Sequence, residues 1–234
     1  MKFSNFHSSS KGNFYCVENN AGGRILLECG VPWKALLTAL NFNLSGIEGC
    51  FLTHEHKDHS KSVRDVISAG IDVYGSKGTL DGCGLADEKH HSYYIENEMI
   101  VTLPGFQVLA FKTHHDAAEP LGFLIRTDDE FMLFATDTSH LTQRFAMHLS
   151  IIAIEASYDR DILNSRRQAG LCHETVARRL LTSHMEWHNT MRYIRDFCCL
   201  DRCREIHLLH MSSDNINNQE IREKFEHEFF VTVK

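Results

Sequence analysis

Proline is scarce in this chain, with 3 residues in 234. No Pro-, Gly- or Ser-rich linker, repeat or low-complexity stretch interrupts it, so the expectation is one domain spanning residues 1–234. No apolar run approaches the roughly 20 residues that cross a bilayer as a helix. The opening Met1-Lys2-Phe3-Ser4-Asn5-Phe6-His7 lacks the apolar core of a secretory signal, which points to the cytoplasm and away from membranes. Positive charge is not in excess either: 24 Lys+Arg face 31 Asp+Glu, a formal balance of −7. That argues against a uniformly basic nucleic-acid coat. Eight cysteines include no C-x-x-C pair, and the Cys198/Cys199/Cys203 group lacks the partner spacing of a zinc site. Reduced thiols, many of them buried, are expected.

Histidine is what the chain has in surplus. Its 16 copies are two-thirds as numerous as all the strong bases. Because imidazole is the commonest metal ligand, the surplus favours metal chemistry without locating it. Charge is unevenly spread as well. Residues 160–204 carry nine Arg and five acids, a balance of +4, which leaves −11 for the remainder. Such a stretch is either a local face for a polyanion or a pair of solvated helices.

Short apolar or alternating runs bounded by turn residues fill the first two-thirds. Strands are expected at 13–17, 24–29, 49–53, 72–74, 99–103, 106–113, 122–127, 131–136 and 151–155. Helices are expected at 34–40 and at 62–69, the latter ended by Gly70. Beyond residue 158 the period is helical, with Val176, Leu180 and Leu181 on one face and Met191, Ile194 and Phe197 on the next. A strand at 205–209, a helix near 218–227 capped by Asn217 or Asn218, and a strand at 229–233 complete the chain. Many strands with interspersed helices imply an α/β layered architecture.

The densest chemistry is Leu52-Thr53-His54-Glu55-His56-Lys57-Asp58-His59-Ser60, directly after an apolar strand. In an extended loop His54 and His56 share a side, because side chains alternate with period two. Asp58 and His59 then begin the turn into a helix and can face a second ion. Lys57 is expected to face solvent.

This H-x-H-x-D-H run resembles the signature of the metallo-β-lactamase superfamily, whose four-layer αββα sandwich it implies. Downstream elements of that signature follow in order. Thr113-His114-His115-Asp116, Phe134-Ala135-Thr136-Asp137-Thr138 and Leu208-Leu209-His210-Met211-Ser212 stand at strand ends. The family's early Asp-Gly is replaced here by Glu28-Cys29-Gly30. Ser8-Ser9-Ser10-Lys11-Gly12-Asn13 and His115-Asp116-Ala117-Ala118-Glu119-Pro120-Leu121-Gly122-Phe123 resemble the YycJ/WalJ-like branch. The second of these favours His115 over His114 as ligand. Ile154-Glu155-Ala156-Ser157-Tyr158-Asp159 resembles the branch's I-E-S/A-N-x-D, and Ser183-His184-Met185-Glu186-Trp187-His188-Asn189 loosely resembles its G-H-L-S-N. The 72 residues between Asp137 and His210 are too few for a β-CASP insert.

The resemblance implies that His54, His56 and His115 bind one ion, that Asp58, His59 and His210 bind a second, and that Asp137 bridges them. Zn²⁺ suits the imidazole-rich donors, and Mn²⁺ suits shared carboxylates. A hydroxide bridging two such ions would attack phosphorus in line, which makes a nuclease acting on DNA, most concretely an exonuclease, the leading expectation. RNA is the second polymer to consider, and a homodimer could pair the basic segments. Asp58 and His184 are the candidate catalytic residues, His184 either as proton donor to the leaving oxygen or as a histidine between two helices. Glu155 either orients a ligand or ends a buried strand. Ser10, Lys11 and Asn13 either line the site or form a loop that starts a strand. Trp187 and Tyr193 either stack on a base or sit in the core. The competing functions are hydrolysis of a lactone, thioester or other small ester by the same ions, and a metal-binding module without turnover.

Overall fold

The computed structural model describes residues 1–88 and 90–234. They divide into two compact units, one of residues 1–112 with 117–129, the other of residues 113–116 with 130–234.

In the first unit, β1 (Lys2–Ser9), β2 (Gly12–Glu18), β3 (Arg24–Leu27), β4 (Ile47–Phe51), β5 (Val73–Gly75) and β6 (Ser92–Tyr94) form one sheet in sequence order. The first three strands pair antiparallel and the last three join in parallel. Each parallel step needs a crossover. The chain supplies α1 (Trp33–Ala39) for the first, α2 (Lys57–Ser60) and α3 (Val63–Ser68) for the second, and α4 (Lys77–Gly82) for the third. Their buried Leu36, Val66 and Leu80 pack with Phe14, Leu26 and Val73 of the sheet in one apolar cluster. The meander β7 (Ile100–Leu103), β8 (Phe106–Lys112) and β9 (Leu121–Thr127) pairs antiparallel throughout.

The second unit is built on parallel strands in the order β10 (Glu130–Ala135), β12 (Ile151–Glu155), β14 (Glu205–Leu209) and β15 (Thr232–Val233). Strands buried on both faces should read as continuous apolar runs. Ile151-Ile152-Ala153-Ile154 does, and all four residues are buried. Helices α5 (Arg160–Gln168), α6 (Glu174–Ser183) and α7 (Trp187–Phe197) fill the β12–β14 crossover, and α8 (Asn218–Phe229) precedes β15. A two-stranded sheet joins β11 (Phe145–His148) to β13 (Cys198–Cys199).

The strands at 151–155 and 205–209 and the Asn217 cap match expectation, the Asn217 side chain accepting the Glu220 amide. One expectation needs correction. The strand expected at 229–233 is only Thr232–Val233, because α8 runs on to Phe229 and is closed by Phe230 in the left-handed conformation. The face of Val176, Leu180 and Leu181 is on a helix, as expected, and is only partly covered. Val176 is 52% exposed, while α6 packs through Ala177 and the half-buried Leu180 against Tyr158 and Leu163. Of their two readings, Trp187 and Tyr193 take the core one. Both are buried, the Trp187 indole donates to Asp159 Oδ2 (2.7 Å), and the Tyr193 hydroxyl donates to the Gln143 carbonyl (2.9 Å). All eight cysteines are free thiols, four of them buried, as expected. No helix among the described residues is long and apolar enough to cross a membrane.

Asp159 joins three elements by one carboxylate. It caps α5 by accepting the amides of Asp161 (2.8 Å) and Ile162 (3.1 Å) while it holds Trp187 of α7. Partial burial opposes its charge, but these hydrogen bonds outweigh burial and hold the carboxyl below its usual range. A depressed folded-state pKa contributes stability above the unfolded value of about 3.9, and that stability is lost as pH falls through the folded value. Asp159→Ala is therefore expected to cost about 2 kcal/mol near neutrality, a fall in Tm of roughly 4–8 °C. Thermal melts should show the gap to wild type narrowing as pH falls below the unfolded value; a gap independent of pH would count against the charge.

Candidate metal centre

In the first unit the motif begins where β4 ends. His54 is fully buried, and its Nδ1 hydrogen-bonds the Thr53 hydroxyl (2.9 Å), which fixes the ring. His56 caps α2, and its ring centroid lies 4.6 Å from that of His54. His59 follows within α2, its ring 4.1 Å from His54. Asp58 stands in the first turn of the same helix, Oδ2 3.6 Å from His59 Nε2. The four motif side chains thus gather on one loop and one helical turn, and Lys57 faces solvent as expected.

Residues remote in sequence hold this loop. Asn13 is fully buried, its amide donates to the Ser9 and Asp58 carbonyls (3.1 and 3.2 Å), and the same nitrogen lies 3.0 Å from His59 Nε2. Of the Ser10, Lys11 and Asn13 group, Asn13 is therefore the one built against the motif. Glu28 adopts φ +65° at the end of β3, a costly conformation for a residue with a Cβ. Its Oε1 accepts the Thr53 amide (3.2 Å) and lies 3.5 Å from His59 Nδ1. Burial, opposed by His59, pushes the Glu28 carboxyl up. Glu28 thus sets a carboxyl group beside His59.

In the second unit His115 donates from Nδ1 to the Ser183 carbonyl (2.9 Å), leaving Nε2 3.6 Å from Asp137 Oδ2. Burial pushes its pKa down, which keeps the ring neutral as a ligand must be. Its neighbour His114 instead stacks on His140 at 4.0 Å. Asp137 and His210 follow β10 and β14, both with positive φ (+45° and +51°). Asp137 Oδ1 lies 3.6 Å from His210 Nδ1.

Glu155, the last residue of β12, is the hub of this half. It is fully buried, and it accepts the Thr138 amide (2.7 Å), the Met185 amide (3.3 Å) and His184 Nδ1 (2.6 Å). It both ends a buried strand and orients a histidine. Burial disfavours the charge on both partners, yet each holds the other ionised. Glu155 is kept below the carboxylate range, and His184 is raised to about 9. The His184 ring stacks on His210 at 5.1 Å and meets His115 edge-on at 5.1 Å. Asp137, Glu155, His184 and His210 bring one donor atom each to within 4.8 Å of one another, all buried. Asp137 and His210 are the metal donors in their chemistry, whereas His184, held protonated by Glu155, brings a proton to the same place.

The basic segment is less open than its composition implies. Arg166, Arg167, Arg179, Arg195 and Arg204 face Asp214, Glu174, Asp116, Glu228 and Glu130 respectively. The Arg179 pair (3.2 Å) ties α6 to the residue next to His115.

Comparison with known proteins agrees with this frame. A family model described as a β-lactamase superfamily domain matches residues 23–211. The chain is 26% identical over 231 residues to an exodeoxyribonuclease YycJ of Bacillus anthracis, covering 92% of this chain and 84% of that protein. Zn²⁺-bound PqqB from Methylobacterium extorquens superposes with a TM-score of 0.75 at 14% identity, covering all of this chain and 97% of its own. The short form of human tRNase Z does so with a TM-score of 0.60 at 15% identity, over 91% and 93% of the two chains. The chain belongs to the β-lactamase superfamily domain family, has the metallo-β-lactamase fold, and is a metal-dependent hydrolase.

Proposed function

We propose that this protein is a phosphodiesterase, most specifically an exonuclease acting on DNA in the cytoplasm. Its site would hold two divalent ions, Zn²⁺ or Mn²⁺. His54, His56 and His115 would ligate one, Asp58, His59 and His210 the other, and Asp137 both. The observation that carries the reading is the buried Glu155–His184 pair beside Asp137 and His210. A metal pair alone needs no such histidine. A reaction with a leaving oxygen to protonate, or a phosphate oxygen to hold, does.

When bound, the ions supply Lewis acidity and lower the pKa of a coordinated water toward about 7. The protein's own groups do the rest. Glu155 occupies His184 Nδ1, leaving Nε2 for the substrate. Ser183 fixes His115, Glu28 stands beside His59 Nδ1, and Asn13 holds the Asp58 backbone next to it. The seven ligands comprise five neutral imidazoles and two carboxylates, so about two positive charges remain to attract an anionic phosphodiester. The polymer is suggested by the 26% identity to a protein described as an exodeoxyribonuclease.

The test is an assay on linear duplexes with 5′-phosphate or 5′-hydroxyl ends, single-stranded DNA, RNA and a lactone and thioester panel, each with Zn²⁺ or Mn²⁺. Progressive shortening of the 5′-phosphorylated duplex is expected. Fast hydrolysis of a lactone or thioester with every nucleic acid left intact would replace this reading with the small-ester one.

A further inference from the structure

Spacing along the chain gives Cys199 no metal-binding partners, because one of them comes from 51 residues away. The fold supplies what the sequence conceals. Parallel pairing of β11 with β13 sets His148 in register with Cys199, and the Leu149 amide locks that register by donating to the Cys199 carbonyl (3.1 Å). The chain then turns, the Cys203 amide donating to the Leu200 carbonyl (2.8 Å), and Asp201 returns toward the same pair. We propose that His148, Cys199 and Asp201 form a further metal site, taking one Zn²⁺ or similar borderline-soft divalent cation through Nδ1, Sγ and a carboxylate oxygen.

Geometry carries the assignment. His148 Nδ1 lies 3.0 Å from Cys199 Sγ and 3.5 Å from Asp201 Oδ2, and the third edge of the triangle, Sγ to Oδ2, is 3.9 Å. Tetrahedral bonds of about 2.0–2.3 Å to N, O and S place the donors roughly 3.3–3.6 Å apart. The three edges straddle that range, so an ion fits with shifts of a few tenths of an ångström. The chemistry also balances. Binding releases one proton, from the Cys199 thiol, and thiolate plus carboxylate neutralise the two charges of the ion beside a neutral imidazole. With His148 47% and Asp201 79% exposed at their side chains, the fourth tetrahedral position opens to water. The neighbouring thiols do not compete. Burial pushes Cys198 up to about 12 and Cys203 up to about 11, so both resist becoming thiolates. The site shares no donor with the cluster around His184, and among the described residues it is the candidate group that offers sulfur.

Sulfur makes it separately observable. Metal-free protein, kept reduced with a phosphine, is titrated with Co²⁺ and followed by thiolate-to-cobalt charge-transfer absorption. The seven ligands of the proposed catalytic pair include no sulfur, so the band reports this site whether or not that assignment holds. One thiolate-bound Co²⁺ per chain is expected in wild type and in Asp58→Ala, and none in Cys199→Ser. His148→Ala and Asp201→Asn, which keep the thiol, should weaken binding by about 100-fold, the upper end of what even an outer support of a metal costs. Absence of the band from wild type, its survival in Cys199→Ser, or unchanged affinity in both His148→Ala and Asp201→Asn would each overturn the proposal.

Discussion

Asp58→Ala is expected to lower cleavage of a 5′-phosphorylated duplex by about 10²–10³-fold or more, the scale set by removing one preorganised group from an electrostatic site, while the metal-free protein melts almost as metal-free wild type does. The separation of the two readouts follows from where Asp58 sits. Its side chain is partly exposed, and its carboxylate approaches His59 Nε2 only to 3.6 Å. The Asn13 amide holds the Asp58 carbonyl, which alanine keeps. A carboxylate in a first helical turn gains about 0.3–1 kcal/mol from the helix dipole, at the low end for a helix of four residues. Alanine's better helix propensity offsets a similar amount. With metal removed from both proteins, Tm should therefore move by no more than about 2 °C. Bound metal, counted after dialysis, should fall by about one ion per chain. Full activity with unchanged metal content would remove Asp58 from the ligand set.

How much of this was legible in the sequence depends on how local each feature is. His54, His56, Asp58 and His59 stand within six residues at a strand end, so chemistry and spacing read together. Their supports do not. Asn13 reaches His59 across 46 positions, and Glu28 reaches Thr53 across 25. Nothing in the composition of either neighbourhood announces those contacts. Glu155 reads as the end of an apolar strand because it is one; only the return of the chain at His184, 29 residues on, reveals the carboxylate as an anchor. Strand β1 escaped for a different reason. Its pairing with β2 slips between Asn5 and His7, and an irregularity of that kind breaks the two-residue alternation on which strand reading depends. On α6 the helical period was legible, and the extent of burial was not. An apolar helical stripe shows that a helix has a face, and Val176 and Leu181 show that the face can remain open to solvent.

Glycine at position 30 should prove as demanding as any ligand, but through stability. An ideal Cβ there would lie 1.7 Å from the Asp58 carbonyl oxygen, 2.1 Å from its carbon and 2.6 Å from the His59 nitrogen. All three are backbone atoms, where ordinary contact requires about 3.5 Å. Neither side can yield cheaply. The Gly30 amide donates to the Asn13 carbonyl (2.9 Å), the Cys29 amide to the His59 carbonyl (2.8 Å), and the Ser62 amide to the Cys29 carbonyl (2.9 Å). The Asp58–His59 backbone is thus clamped between β2 and the segment after β3, and the added methyl must break the clamp. Gly30→Ala is expected to cost about 3 kcal/mol, the upper end of overpacking, and to lower Tm by roughly 6–12 °C. It should also release metal, since Asp58 and His59 move together. Gly70→Ala separates collision from backbone strain. There φ is +79° and nothing lies within 4 Å of the new methyl, so only the left-handed penalty of about 1–2 kcal/mol applies and metal content should not change. Equal melting and equal metal content in the two variants would mean that the loop carrying Asp58 and His59 is not held by close approach to Gly30.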